Sequence, residues 1–178
     1  MKLKVIGKQN NSDMCVVCGT QNALSLGTRF YNTENALVVG LVSGREEHQS
    51  YPGRMHGGMI SALLDETIGR AIMIPEPECF GVTSDMQVRF VKPVPLGEPL
   101  NVVGKLTRNT RLLFQAEGFI EDMNGQILAT AKATYIKLPV TRIAEGGLSH
   151  KNWFFLPDEN DVTEVEVFNA DWFDRPKK

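Results

Sequence analysis

HGGMISALLDETIG, residues 56 to 69, is the stretch whose reading decides the fold. At 100° per residue, Ile60, Leu63, Leu64, Ala71 and Ile74 fall on one side of a helix, and Ile68 and Ile72 widen the stripe. The spacing predicts a largely buried helix from Gly57 to about Ile74, ended by Pro75 and Pro77, which cannot continue it. Two features do not belong to an ordinary core helix. Glycine costs about 1 kcal/mol against alanine inside a helix, so Gly57 and Gly58 need a backbone reason. Without side chains they leave the amides of the first turn approachable, where the macrodipole favours negative charge. That describes an oxyanion hole or a phosphate seat.

Asp65 is the second feature. Its one-turn neighbours Ser61, Ala62, Ile68 and Gly69 include no cation, and Gly69 leaves open space beside it. Such an acid either gains hydrogen bonds from elsewhere or carries a raised pKa, and both suit a catalytic carboxylate. The structural alternative is a tie to a neighbouring strand. Glu66 differs, because Arg70 follows one turn later in the favourable acid-before-base order and predicts a surface pair.

Outward from the helix the period changes. Residues 24 to 43 are β-branched and aromatic around an Asn-Thr-Glu-Asn break and read as a hairpin, followed by a polar loop, 44 to 56, with Pro52 and Gly53. Beyond the helix, Met86, Val88 and Phe90 alternate with Asp85, Gln87 and Arg89; Leu100, Val102, Gly104 and Leu106 alternate with polar partners. Leu112, Phe114, Ala116, Gly118 and Ile120 continue the period up to a Met123-Asn124-Gly125 hairpin turn. The last strand sets Ile127, Ala129, Ala131 and Ala133 on one face, a row of small side chains suited to close contact with a helix. Two strands, one long helix and four antiparallel strands make an α+β layout with one helix against one sheet. Residues 1–14 read as an N-terminal lead, 15–138 as the domain, and 139–178 as a C-terminal extension. That extension is expected to wrap on the surface, partly ordered by Trp153, Phe154 and Phe155, without forming a second domain.

With 178 residues and 42% apolar content, the chain has enough material for one core and an appendage. A net charge of -2 makes no electrostatic case for nucleic acid or for an anionic membrane surface. No apolar run reaches signal-peptide length or the ~18 residues of a membrane helix, which predicts a cytoplasmic protein. Three cysteines, Cys15, Cys18 and Cys79, fit a reducing compartment better than a disulfide framework. Cys15-x-x-Cys18-Gly19 resembles half a zinc site, but no second pair follows and His48, His56 and His150 are scattered. Neither a metal nor a cofactor is expected.

Gly57 and Asp65 are eight positions apart, roughly 12 Å along a helix axis. Catalytic contacts are about 3 Å, so one reacting group cannot touch both within a single subunit. If both serve one reaction, Gly57 of one chain meets Asp65 of another across a two-fold axis, giving two identical sites per dimer.

Three stretches, HQSYPGRMHGGMISALLDETIG (48–69), VTSDMQVRFVKPVPLGEPL (82–100) and ILATAKATYIKL (127–138), resemble the hotdog-fold acyl-CoA thioesterases, specifically the branch of phenylacetyl-CoA thioesterase and related long-chain acyl-CoA thioesterases. CVVCGTQNALSLGTRFY (15–31) is similar to a common opening of these proteins, so the resemblance runs from about Cys15 to Leu138. It implies a long helix wrapped by the sheet, and two subunits paired sheet edge to sheet edge in a homodimer or homotetramer. It further implies a site at the subunit interface, an acyl-CoA substrate and no cofactor. Gly57 would donate its N–H to the thioester oxygen, and Asp65 of the partner subunit would be the nucleophile or the base that activates water. Thr83 would orient that water or the carboxylate, and His56 would shape the oxyanion loop. Gly58, Ser50, Gln49, Ser84 and Arg111 are the expected substrate contacts; Arg111, with Arg108, Lys92 and Lys105, is a candidate for the coenzyme A phosphates. One departure stands out: several relatives carry asparagine six residues before the histidine of the HGG motif, where this chain has Ser50. That difference keeps open a non-catalytic acyl-CoA-binding or sensing protein. A hotdog dehydratase is the third reading, though that branch pairs histidine and acid in a different motif.

Overall fold

The computed structural model describes residues 1–175. The apolar stripe forms α1, Gly57–Gly69, and a 3-10 turn at Arg70–Met73 carries it almost to Pro75. The helix therefore ends in a tightened turn, a common way of satisfying its last carbonyls. The remaining elements are strands β1 (Lys2–Lys8), β2 (Asn11–Ser12), β3 (Arg29–Thr33), β4 (Leu37–Ser43), β5 (Gly81–Phe90), β6 (Pro99–Asn109), β7 (Leu113–Asp122) and β8 (Ile127–Lys137). A short α2 (Val140–Ile143), β9 (Trp153–Phe154) and β10 (Glu164–Glu166) follow. Eight strands form one antiparallel sheet in the order β10-β1-β3-β4-β6-β7-β8-β5, and β2 pairs with β9 in a separate ribbon.

The inner face of the sheet wraps α1. Ile60, Leu63, Leu64, Ile68, Ala71 and Ile72 are buried, and α1 packs on β4, β5, β6, β7 and β8. Gly104 and Gly118 face each other across β6 and β7 below Ile68. A Cβ on Gly104 would lie 3.1 Å from Ile68 Cα, and one on Gly118 would lie 2.6 Å from Ile68 Cγ2, so this glycine pair is what lets the helix seat. Ala129, Ala131 and Ala133 provide the rest of the shallow floor. Ile127, expected on the same face, instead packs against the outer one. An irregularity opposite Ile120 and Glu121 inserts Leu128 and reverses the alternation there.

A second core covers the outer face. Leu37, Val39, Val103 and Phe119 pack there against Leu3 of β1, Val165 of β10, Val167, Trp172 and Phe173. Asn101 and Val103 of β6 are consequently as buried as Leu100 and Val102, where polar, exposed partners were expected. Glu121, fully buried, accepts hydrogen bonds from the Phe168 and Asn169 amides at 2.9 and 3.1 Å, and from the Asn169 side chain at 2.8 Å. Its carboxylate ties the C-terminal extension to the sheet. No described helix is long and apolar enough to cross a membrane.

Candidate active site

His56 caps α1: its Nδ1 accepts a hydrogen bond from the Gly58 N–H at 2.9 Å. A Cβ on Gly58 would lie 3.0 Å from that same nitrogen, so glycine is there to admit the capping ring. The Gly58 amide is thereby engaged within the chain. The Gly57 amide makes no hydrogen bond among the described residues, and a Cβ at Gly57 would meet only the Phe90 ring, at 3.5 Å. Gln49 Oε1 accepts from the Gly53 N–H at 3.0 Å and the Ser50 N–H donates to Arg54 O at 2.9 Å, which tightens the exposed turn before the cap.

Two turns along α1, Asp65 gains its hydrogen bonds from two hydroxyls. Thr83 Oγ1 donates to the carboxylate, 2.9 Å from Oδ1 and 3.2 Å from Oδ2. The Tyr135 hydroxyl lies 2.9 Å from Oδ1 and 2.9 Å from the Asp65 carbonyl oxygen. The space expected beside Gly69 is where Tyr135 sits: a Cβ on Gly69 would lie 3.2 Å from that ring. Burial, and then the Asp65 charge, push the Tyr135 pKa up, so the phenol stays a donor. The ring stacks on Phe114 at 4.7 Å between centroids.

Thr83 reaches Asp65 because β5 carries a bulge. Thr83 pairs with Tyr135 and Asp85 with Thr134, leaving Ser84 as the extra residue. Strict alternation would put Thr83 with Asp85, Gln87 and Arg89, away from Met86 and Val88; the bulge turns it to the helix side. Ser84 is exposed and donates to Thr134 O at 3.0 Å, while Arg111 is exposed in the β6–β7 turn.

Glu66 and Arg70 form the expected pair at 2.8 Å, but not on the surface. The Arg70 side chain is 3% exposed, lies 4.3 Å from the Phe30 ring centroid and 4.9 Å from that of Trp153, and donates to Asn10 O at 2.8 Å. Beside it, the Cys15 and Cys18 sulfurs and a Glu66 carboxylate oxygen lie within 4.8 Å of one another, a trio of possible metal donors that sequence spacing missed because Glu66 is distant in the chain. The Arg70 guanidinium, 3.2 Å from Cys18 Sγ, already supplies positive charge there. A hydrogen bond from the Cys18 thiol draws the Cys15 pKa down to about 7.

Asp65, Thr83 and Tyr135 line a cavity of about 310 Å³ together with the Glu66–Arg70 pair and a largely apolar set, Met73, Phe80, Val140, Ile143, Leu148 and Trp153. None of His56, Gly57, Gly58, Gln49, Ser50, Ser84 and Arg111 lines it. Tyr135 was absent from the sequence reading, although a polar-tipped aromatic closing the Ala129-Ala131-Ala133 row is a signal that could have found it. The wall from the C-terminal extension had no such signal.

Residues 52–129 match the family model of the thioesterase superfamily. The human protein acyl-coenzyme A thioesterase 13 is 27% identical over 98 residues, covering 54% of this chain and 70% of that protein. A solved thioesterase superfamily protein superposes with a TM-score of 0.63 at 29% identity, over 68% of this chain and 59% of that one, so under two thirds of that protein is spanned. The E. coli PaaI protein from the phenylacetic acid degradation operon shares the fold, with a TM-score of 0.58 at 16% identity over 65% of this chain and 83% of that one.

Proposed function

We propose that this chain, whose residues 52–129 match the thioesterase superfamily model, hydrolyses an acyl-CoA thioester to the free acid and coenzyme A, with Asp65 as the reacting carboxylate. The observation that carries this reading is the Asp65 carboxylate, held by Thr83 and Tyr135 in the lining of a largely apolar cavity. The relatives support the same chemistry, since the human one is named an acyl-coenzyme A thioesterase. In the reaction, either Asp65 attacks the thioester carbonyl, the C–S bond breaks and water then hydrolyses the Asp65 anhydride to the free acid, or Asp65 takes a proton from an attacking water, the C–S bond breaks and that proton passes to the departing sulfur; in both, one water is consumed and coenzyme A leaves as the thiol. Thr83 and Tyr135 hold the carboxylate in one orientation, which reduces the entropy lost on reaching the transition state.

The oxyanion needs a donor, and in Asp65's own subunit Thr83 and Tyr135 are engaged by Asp65 and Arg70 by Glu66. The free Gly57 amide, about 12 Å away along α1, fits that role in a second subunit. A homodimer joined along β5 supplies it: β5 is ten residues long, its outer edge has no neighbouring strand among the described residues, and Asp85, Gln87, Arg89 and Phe90 are exposed. The reaction belongs in the reducing cytoplasm, which suits three free cysteines and a CoA substrate.

The test follows thiol release from an acyl-CoA panel by wild type and Asp65→Asn. Wild type is expected to turn over and Asp65→Asn to lose at least about a hundredfold in kcat. Retention of most of the rate by Asp65→Asn removes Asp65 from the chemistry. Tight acyl-CoA binding by a wild type that releases no thiol would make the protein a sensor instead.

A further inference from the structure

We propose that the C-terminal segment from Val140 to Trp153 is the acyl-selecting wall of this site, and that the site takes an uncharged acyl chain of medium length ending against Leu148 and Trp153. The proposal rests on the thioester reading above and extends it to the substrate. Its starting point is the cavity that Asp65 lines: Thr83, Tyr135 and the Glu66–Arg70 ion pair contribute polar groups there, and the Val140–Trp153 segment contributes only apolar side chains, Val140, Ile143, Ala144, Leu148 and Trp153. An acyl group that enters this cavity from a thioester carbonyl at Asp65 meets this segment, where burial of an apolar chain is favourable and burial of a charged one is not. The wall lies beyond residues 52–129, the part of the chain that matches the family model.

The wall is held in place. Trp153 packs edge-on against Phe80 at 5.9 Å and against the buried Arg70 guanidinium at 4.9 Å. Its N–H donates to Ser149 O at 2.9 Å, and its strand pairs with Asn11–Ser12. On the other side of this wall lies a second cavity of about 730 Å³, which shares Met73, Phe80, Val140, Leu148 and Trp153 with the first. The rest of its lining is mixed, with Lys8, Gln9, Asn10 and His150 beside Ile74, Phe154 and Phe155. Leu148 and Trp153 thus line both cavities, and as the partition between them they set the length of chain that the first can bury.

Two substitutions push in opposite directions. Leu148→Ala opens the partition, and Ile143→Trp fills the first chamber; Ile143 is 37% exposed and Leu148 only half-buried, so neither change empties the core. The experiment measures kcat/KM by thiol release along a straight-chain series from acetyl- to palmitoyl-CoA, and Kd for the matching non-hydrolysable thioether analogues. Wild type is expected to peak at medium length. Leu148→Ala should raise the long-to-medium ratio about tenfold, and Ile143→Trp should lower the medium-to-acetyl ratio by a similar factor. A wild-type optimum at palmitoyl-CoA, or unshifted profiles in both variants with unchanged circular dichroism, overturns the wall while leaving hydrolysis standing. The same length shifts in Kd without any turnover would uphold the wall and overturn hydrolysis.

Discussion

Asp65 and Glu66 are adjacent acids with unlike surroundings. Glu66 is neutralised by a buried guanidinium, whereas Asp65 receives two hydroxyl hydrogen bonds and faces a cavity. A carboxylate held by neutral donors keeps its charge available, while one paired with arginine spends it on structure. Tyr135 is the better fixed of the two donors, being buried, stacked on Phe114 and kept protonated by its raised pKa. Tyr135→Phe keeps the ring stack and removes one hydrogen bond to a charged group. Such a bond contributes about 1.5–3 kcal/mol, so kcat should fall about ten- to a hundredfold with KM changed much less. Steady-state kinetics on one good acyl-CoA checks this, and an unchanged kcat would remove Tyr135 from the positioning of Asp65.

At the scale of elements, the seat of α1 and the bulge of β5 do the placing. Gly104 meets the helix backbone itself, with Thr67 O and Ile68 Cα each 3.1 Å from a built Cβ. Gly104→Ala must displace α1 and should lower stability by about 1–3 kcal/mol, read as a lower urea midpoint at unchanged slope. Gly57→Ala is the contrast, since its nearest neighbour is a Phe90 ring atom at 3.5 Å; a loss there as large as at Gly104 would mean that the glycine seat is not what limits helix packing. The period-two reading located β5, β6, β7 and β8 but failed at Ile127, and extended back past Asp85 it would put Thr83 on the wrong face. An inserted residue leaves the pattern of residue types intact while reversing which face each one takes. Tyr135 escaped for a related reason: its partner Asp65 is 70 residues away, and nothing in local spacing joins them.

At the scale of the whole molecule, the shared-site dimer makes a prediction that a single-subunit site does not. Gly57 is the first residue of α1 behind an extended His56, a position where proline fits and which it deprives of an N–H. Gly57→Pro should therefore keep the fold and lose about a hundredfold in kcat, as expected for one missing oxyanion donor. Mixing inactive Gly57→Pro and Asp65→Asn chains after co-refolding should recover about a quarter of wild-type activity, because half the dimers are mixed and each of those holds one intact site. No recovery, with mixed dimers demonstrated by mass, would place both groups in one subunit's chemistry or neither. The outer face of the sheet belongs to the same scale, since β1 and residues 162–173 cover it with a second core that ties both ends of the described chain into the sheet.

From the sequence by itself came the α+β layout, the buried helix, the glycines at its head, the Glu66–Arg70 pair and the separation of Gly57 from Asp65. Those follow from periodicity, capping and helical rise, which act over a few residues and leave their mark on residue type. Tertiary structure alone decided that Arg70 is buried, that Thr83 turns inward and that Tyr135 fills the space beside Gly69. It also decided that the extension walls the cavity at Asp65. These are contacts between segments far apart in the chain, and their geometry depends on bulges and packing distances that no local pattern records.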